Sequence, residues 1–210
     1  RQAAESQLKL LETQLEPHML FNTLANLRVL ISTDPERATV MLDHMVAYLR
    51  ATLGGSRAVM HPLQLEFDRL RDYLALMTIR MGPRLSYTLD LPPELANHPV
   101  PPLLLQPLVE NAIKHGLEPK VEGGSIKVAA RRDGGSVVLE VSDTGVGGAA
   151  TFGDTEHKGF GLSQVAERLK TTYGASSTIA FVADEAYKTS ARIVFPYQNS
   201  LQASDNCLKP

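Results

Sequence analysis

The spacing of apolar residues changes near residue 55, and this change restricts the possible folds more than any other feature. Residues 1 to about 53 show only helical spacing. From about residue 57 onwards, helical segments are mixed with alternating, strand-like ones. We therefore predict a helical segment that is followed by a separate α+β domain.

Two apolar stripes lie on nearly opposite faces of the first predicted helix. The first stripe consists of the leucines before Pro17, which are Leu8, Leu11 and Leu15. The second follows Pro17 and consists of Leu20, Leu24, Leu27 and Ile31. A proline inside a helix removes a hydrogen bond and usually kinks it, so we expect each half to bury a different face. His18 and Asn22 continue the first face where it stops being apolar, and we expect His18 to remain accessible.

A turn at residues 34–36 separates this helix from a second one. Asp34 is suited to be the N-cap and Pro35 the first helical residue. The second helix is expected to end at Gly54-Gly55-Ser56 and to have five side chains near its buried side: Val40, Met41, Met45, Tyr48 and Leu49. Because two helices this short bury little surface alone, we expect residues 1–55 to form a homodimer as a four-helix bundle.

Residues 56–198 show the mixture of elements that is typical of an α+β sandwich with helices on one face of a sheet. Three helices are expected: Leu63–Met81, about 103–115 with Gly116 just beyond its end, and about 162–173. Strands are expected in antiparallel runs at Leu85–Leu91, 126–130, 137–141, 177–183 and 189–195. Residues 199–210 are polar and are expected to form a flexible tail.

The composition excludes several classes of protein. With 21 basic and 23 acidic residues, the chain lacks the excess positive charge of a nucleic-acid binder. Its one cysteine, Cys207, excludes an intrachain disulfide and a zinc site built on several cysteines, and it fits a reducing compartment. No run of 18 apolar residues is present that could span a membrane.

The densest cluster of polar residues lies at the end of the helix predicted near residue 110. Asn111 and His115 are one turn apart with Lys114 beside them, so they share a side of the helix. The Asn111 oxygen suits Mg²⁺, and Lys114 and His115 can bind phosphate, with the acid Glu110 adjacent. A solvated helix face would explain the same cluster, so both interpretations stay open.

Two glycine-rich segments follow. Asp143 ends a strand before Gly145 and Gly147, so its carboxylate can accept from an exocyclic amine while the backbone approaches closely. The segment Lys158-Gly159-Phe160-Gly161-Leu162 opens a helix whose first N–H groups can bind phosphate. The spacing matches neither a P-loop nor a dinucleotide fingerprint, and each segment alone is compatible with an ordinary turn.

In this order the three segments resemble the N box and the two glycine boxes of the GHKL ATP-binding superfamily. The resemblance implies a Bergerat-type domain that binds ATP with Mg²⁺. It implies Asn111 as the Mg²⁺ ligand, Glu110 as a proton-handling or water-orienting group, and Asp143 as the acid that holds the adenine amino group. Thr189 would lie near adenine, although Lys188 stands where the family often has glycine. The lid of the pocket would lie at about 149–158. The residues that shape the pocket and this lid would be Gly145, Gly147, Gly159, Gly161 and Leu162.

The segment Gln14-Leu15-Glu16-Pro17-His18-Met19-Leu20-Phe21-Asn22 resembles the Q-x-x-P-H-F-L-F-N box of the LytS-like sensor histidine kinases, with Met19 replacing phenylalanine. The resemblance extends over about residues 7–196. It implies that His18 accepts the γ-phosphoryl group of ATP and passes it to an aspartate of a response-regulator receiver domain. Asn22 would position a water for the reverse, phosphatase reaction.

The resemblance leaves the acceptor of the His18 proton open between Glu16 and Glu110. It also implies a hinge near residues 54–56, so that histidine and nucleotide can meet. The chain lacks an initial methionine and begins in an apparent helix, which we interpret as a cytoplasmic part of a parent protein attached to the inner or plasma membrane. The remaining histidines, His44, His61, His98 and His157, are expected to be structural or surface residues.

Two other functions remain open. The chain could be a GHKL-type ATPase or a serine-directed anti-sigma-type kinase in which the helical hairpin only dimerises; labelling that survives loss of His18 would indicate this. It could also be a non-catalytic scaffold that binds nucleotide or a partner; failure to bind Mg·ATP would favour this.

Overall fold

Two compact units make up the chain in a computed structural model. The structure describes residues 17–54, 59–147, 160–182 and 189–198, and only the helical backbone of Pro17, His18, residues 51–54 and Phe160. One unit comprises residues 1–57 and 71–82, and the other comprises residues 58–70 and 83–210. The division therefore falls within one helix, α3 (Leu63–Met81), whose bounds are those predicted.

The first unit contains a helical hairpin of α1 (Pro17–Thr33) and α2 (Pro35–Gly54). Asp34 Oδ1 accepts the backbone N–H of Arg37 at 3.1 Å, which is N-cap geometry and confirms the predicted helix start. Met41, Met45 and Tyr48 are buried as expected, at i, i+4 and i+7. The prediction is wrong for Val40, which is exposed because it lies about 100° around the helix from Met41.

The buried face of α1 also differs from the predicted stripe. Met19, Thr23 and Leu27 are buried, whereas Leu24 and Ile31 are 43% and 62% exposed. A count of apolar residues leaves Thr23 out of the buried face because of its hydroxyl group. In the structure this hydroxyl donates to the Met19 carbonyl at 2.8 Å, so that burial leaves it hydrogen-bonded.

The second half of α3 packs with the hairpin in the same unit. The rings of Tyr73 and Tyr48 lie 5.6 Å apart. His44 Nδ1 lies 3.4 Å from Asp72 Oδ1. These contacts join the second half of α3 to α2 within this unit.

The second unit is built on a five-stranded sheet in the order β2-β4-β5-β7-β6. These strands are β2 (Leu85–Asp90), β4 (Gly124–Asp133), β5 (Ser136–Asp143), β6 (Thr178–Val182) and β7 (Thr189–Pro196). Two short strands, β1 (His61–Pro62) and β3 (Pro99–Val100), pair separately. The expectation of antiparallel runs is wrong at one place, because β2 pairs in parallel with β4. Residues 91–123 between them supply the long crossover that parallel pairing requires.

Helices cover one face of this sheet, and its alternate side chains form the core. These helices are α4 (Pro93–Ala96), α5 (Gln106–Asn111) and α6 (Phe160–Tyr173). The strand residues of the core include Ile126, Val128, Ala130, Leu139, Val141, Ile193 and Phe195. In the alternation of β5 and β7, Asp143 and Thr189 are the polar ends of this otherwise apolar face.

The helix predicted over 103–115 is shorter and more irregular in the structure. Helix α5 begins only at Gln106 and continues as a π-helical turn, Ala112–Leu117. Gly116 lies inside this turn rather than beyond the helix end, which corrects the prediction. Leu103 adopts a φ of 60°, so the backbone before Gln106 is not helical. Within the described ranges, no helix combines the length and apolarity needed to cross a membrane.

Candidate functional site: the polar end of the sheet

Asp143 and Thr189 stand opposite each other at the ends of β5 and β7. Asp143 is only 3% exposed, and its Oδ1 accepts the backbone N–H of Gly145 at 2.9 Å. Burial raises the pKa of the Asp143 carboxyl, while the Gly145 N–H and the charge of Lys120 oppose this shift. Within the described part of the chain no donor binds Oδ2, so this oxygen can accept a further hydrogen bond.

The π-helical turn lies against the loop that follows Asp143. The N–H of Val146 donates to the Gly116 carbonyl at 2.9 Å. A Cβ on Gly145 would overlap the Gly116 backbone, and a Cβ on Gly116 would lie 2.6 Å from Asp143 Oδ1. Position 145 therefore requires glycine because its neighbour is backbone, whereas a Cβ at position 116 would have to displace the Asp143 carboxylate.

Thr144 fastens the same loop to the start of β4. Its hydroxyl accepts the N–H of Ser125 at 2.8 Å, and its own N–H donates to the Ser125 carbonyl at 3.0 Å. Lys120 Nζ donates to the Thr144 carbonyl at 2.7 Å. Sequence reasoning missed Lys120, since no spacing links it to a loop more than twenty residues later. Thr144 could have been found from its place directly after Asp143.

The polar cluster near residue 110 lies at the junction of α5 and the π-helical turn. Glu110 and Asn111 are half-buried, whereas Lys114 and His115 are exposed. Glu110 Oε1 accepts from Gln106 Nε2 at 2.8 Å. The opposite side is buried as predicted, by Leu105, Val109, Ala112 and Ile113. The turn thus keeps this cluster on the side away from the core, and the carbonyl of Gly116, next to His115, binds the loop after Asp143.

The other predicted pocket residues are described in part. Gly147 has a φ of 64°, a conformation that glycine adopts without strain. Gly161 and Leu162 lie in the first turn of α6, where a Cβ on Gly161 would lie 3.2 Å from Pro107 Cβ of α5. Gly159, the predicted lid at 149–158 and Lys188 lie outside the described residues.

His18 and Asn22 lie in the other unit, on α1. The backbone of His18 is in the first turn, and Asn22 follows one turn later with an exposed side chain. The side chain of His18, which is predicted to be accessible, is not among those that the structure describes. The predicted hinge near residues 54–56 also lies mostly outside the described residues. Both stay predictions.

Comparison with known protein families identifies two segments. Residues 102–199 match the family described as histidine kinase-, DNA gyrase B- and HSP90-like ATPase, which implies the use of ATP. Residues 6–85 match the family described as histidine kinase. The two segments together take in most of the chain. The second segment is an ATPase domain of the class that histidine kinases, DNA gyrase B and HSP90 share.

Several curated sensor kinases are similar to the chain over nearly its whole length. BtsS of Escherichia coli K12 is 30% identical over 196 residues, 93% of this chain and 34% of its own length. YesM of Bacillus subtilis is 30% identical over 199 residues, 94% of this chain and 34% of its own. LytS of Bacillus subtilis is 28% identical over 212 residues, 96% of this chain and 36% of its own. The chain spans about a third of the length of these relatives.

Solved structures agree with this fold. The histidine kinase domain of the blue-light activated kinase of Erythrobacter litoralis EL346 has a TM-score of 0.52 at 14% identity, and the match covers 94% of this chain and 96% of that one. The fold is thus α+β, with helices followed by the mixed sheet of a Bergerat-type domain. The chain belongs to the sensor histidine kinase family, and within it to the LytS-like members.

Proposed function

We propose that this chain is the catalytic core of a two-component sensor histidine kinase. It phosphorylates His18 from ATP and passes the phosphoryl group to an aspartate of a response-regulator receiver domain. The observation that carries the proposal is the buried Asp143, whose Oδ1 is held by Gly145 while no described donor binds Oδ2, and whose register partner on β7 is Thr189. This is the arrangement that an exocyclic amine of adenine requires.

The glycines around Asp143 fit a flat base. Because Gly145 carries no Cβ against the Gly116 backbone, and Gly116 carries none against the Asp143 side chain, the loop and the π-helical turn approach each other closely at the carboxylate. Adenine donates its amine to Asp143 Oδ2, with Thr189 next to it. We assign the remaining wall and the lid of the pocket to Gly147, Gly159, Gly161 and Leu162.

Asn111 and its neighbours would hold the phosphates and Mg²⁺. Among the described residues, no group of three or more His, Cys, Asp or Glu side chains could hold a metal ion by itself. This suits Mg²⁺, which takes few protein ligands and completes its shell with water and phosphate oxygens. Asn111 supplies an amide oxygen, Glu110 orients water or handles a proton, and Lys114 and His115 meet phosphate charge. When bound, Mg²⁺ neutralises charge on the phosphates during transfer.

His18 performs the chemical step. A neutral imidazole near pH 7 has a nucleophilic nitrogen. This nitrogen forms a bond to the γ-phosphorus while the bond to the bridging oxygen breaks and ADP leaves. The proton of the other ring nitrogen passes to a carboxylate, with Glu16 and Glu110 as candidates. Asn22, one turn later on α1, positions water for hydrolysis of the phosphorylated regulator.

The domain roles follow from this chemistry. We assign dimerisation and phosphotransfer to residues 1–55, ATP binding to residues 56–198 and a flexible tail to residues 199–210. The partners are a second copy of the chain and a receiver domain, with no role for nucleic acid. The core works on the cytoplasmic side of a parent protein that is attached to a membrane through a segment outside this chain.

Autophosphorylation tests the proposal. The wild type should acquire label from γ-labelled ATP in an acid-labile, base-stable form, and His18→Gln should reduce labelling by about a hundredfold or more. Asn111→Asp should also reduce it, while His44→Gln, a change at another histidine of the same unit, should leave it near the wild-type level. Equal labelling of His18→Gln and wild type would contradict the proposal and favour an ATPase or a serine kinase.

Nucleotide binding tests the remaining alternative, a non-catalytic scaffold. The purified wild type should bind Mg·ATP, as measured by isothermal titration calorimetry. A wild type that binds no Mg·ATP would be a scaffold rather than a kinase.

A further inference from the structure

A buried carboxylate of α3 accepts three successive backbone N–H groups from the segment before α5. Glu66 is 2% exposed. Its Oε1 accepts the N–H of Leu103 at 2.9 Å, and its Oε2 accepts those of Leu104 and Leu105 at 2.9 and 3.0 Å. His61 Nε2 lies 3.0 Å from Oε1. The carboxylate is thus surrounded by donors on both oxygens.

These donors keep Glu66 ionised. Burial alone raises the pKa of its carboxyl, but the hydrogen bonds from His61 and from the backbone outweigh burial and leave the pKa below its ordinary value. A carboxylate that accepts several N–H groups is stabilised in its charged form. Glu66 therefore accepts these bonds as an anion at neutral pH.

Arg168 of α6 binds the same segment through its carbonyl groups. Its NH1 donates to the carbonyl oxygens of Pro102 and Leu103 at 2.8 and 3.1 Å. An anion from α3 thus takes the N–H groups and a cation from α6 takes the carbonyls. Leu103 holds a φ of 60°, which is unfavourable for leucine and persists only where the surroundings impose it.

The segment that Glu66 and Arg168 hold leads directly into α5. Leu105 is the N-cap residue and offers no side-chain cap to the helix. Glu66 binds the three N–H groups just before the first turn of α5, and so holds from a different helix the segment that leads into it. Glu110 and Asn111 follow within six residues of Leu105, so a shift of the segment moves both.

We propose that Glu66, together with Arg168, is a positioning residue for the nucleotide site: it fixes where α5 begins and so where Glu110 and Asn111 stand. The proposal rests on the proposed function, because it concerns the Mg²⁺ and phosphate side of that site. Asp143 and the adenine side lie on different elements, β5 and the loop after it. Loss of Glu66 should therefore weaken the Mg²⁺-dependent part of nucleotide binding more than the rest.

The test compares Glu66→Gln with wild type and with Glu140→Gln. The control carboxylate pairs with Arg192 at 3.3 Å on the sheet and is partly exposed. ADP affinity is measured with and without Mg²⁺ by calorimetry, at a temperature where circular dichroism shows each protein folded. We expect Glu66→Gln to reduce the gain in affinity from Mg²⁺ by about tenfold or more, the effect typical of groups that orient a metal ligand. Glu140→Gln should leave that gain unchanged.

Amide hydrogen exchange shows whether the loss of Glu66 loosens the segment that leads into α5. In Glu66→Gln, the peptide that covers residues 103–111 should exchange faster, while peptides from β4 and β5 should not. If Glu66→Gln does not fold, Arg168→Gln replaces it, with the same expected direction and a smaller effect. A lowered melting temperature with an unchanged Mg²⁺ effect and unchanged exchange would make Glu66 merely structural and overturn the proposal.

The result separates this proposal from the one on which it rests. If the wild type binds no nucleotide at all, the proposed function fails, and this inference fails with it. If the wild type binds ADP more tightly with Mg²⁺ and Glu66→Gln keeps the full gain, only the positioning role is refuted.

Discussion

At the scale of single residues, Asp143 combines two demands that conflict. Its buried carboxylate must stay available to a ligand, yet burial raises its pKa and makes the ionised form less stable in the folded chain. Because the unfolded chain ionises first, stability falls as the pH rises from the ordinary value of 3.8 to the raised folded value. A site that sacrifices some stability for function is common in enzymes.

Asp143→Asn should therefore weaken nucleotide binding without destabilising the fold. The Asn oxygen can still accept the Gly145 N–H, but the amide nitrogen then takes the place of Oδ2 and presents a donor to the adenine amine. We expect a loss of about 1–3 kcal/mol in binding free energy, the penalty of an unmatched buried polar group. Urea unfolding should show Asp143→Asn at least as stable as wild type, with an advantage that grows as the pH rises above 3.8.

Asp133→Asn is the matched control, an exposed carboxylate at the end of β4, at the other end of the same hairpin. It should bind ADP like the wild type. Unchanged ADP affinity in Asp143→Asn would show that this carboxylate does not hold the base.

At the scale of elements, the loop after β5 and the π-helical turn depend on a single close contact. A Cβ on Gly145 would overlap the backbone of Gly116, which cannot rotate away as a side chain could. We expect Gly145→Ala to destabilise the fold by about 1–3 kcal/mol, as overpacking does, and to weaken ADP binding. Gly135→Ala, where no atom lies within 4 Å of the added Cβ, should stay within about 0.5 kcal/mol of wild type. Urea denaturation measures both, and equal stability of the two variants would contradict this account.

The same elements show what the sequence can and cannot predict. Helix α3 and the start of α2 were predictable because prolines and the Asp34 cap act locally. Asp143 was predictable too, because it ends an alternating strand before glycines. The late start of α5 was not, since the segment before it is held by Glu66, some forty residues earlier in the chain. Likewise, alternation identifies β2 as a strand but does not show that its neighbour β4 runs parallel.

At the scale of the whole molecule, the helical unit exposes more apolar surface than a single copy accounts for. Large apolar side chains on α1 and α2 are exposed in one chain, and they include Phe21, Leu24, Val29, Ile31, Val40 and Leu42. Exposed apolar side chains on one element can mark an interaction surface. The proposed dimer through residues 1–55 would cover them, because two copies of a helical hairpin can form a four-helix bundle.

The dimer predicts a change of mass that one double substitution should abolish. Leu24 and Ile31 are two turns apart on one side of α1, and both are exposed in the single chain. Replacing both by glutamate should leave the chain folded, since neither is buried in it, but should place charges in the dimer interface, where they lose water without a partner. Sedimentation equilibrium should give twice the chain mass of 22.9 kDa for the wild type and a single mass for Leu24→Glu/Ile31→Glu. Val121→Glu, at a residue 80% exposed in the other unit, should remain dimeric. A double variant with the wild-type mass would place the interface elsewhere and leave the exposed face of α1 without this explanation.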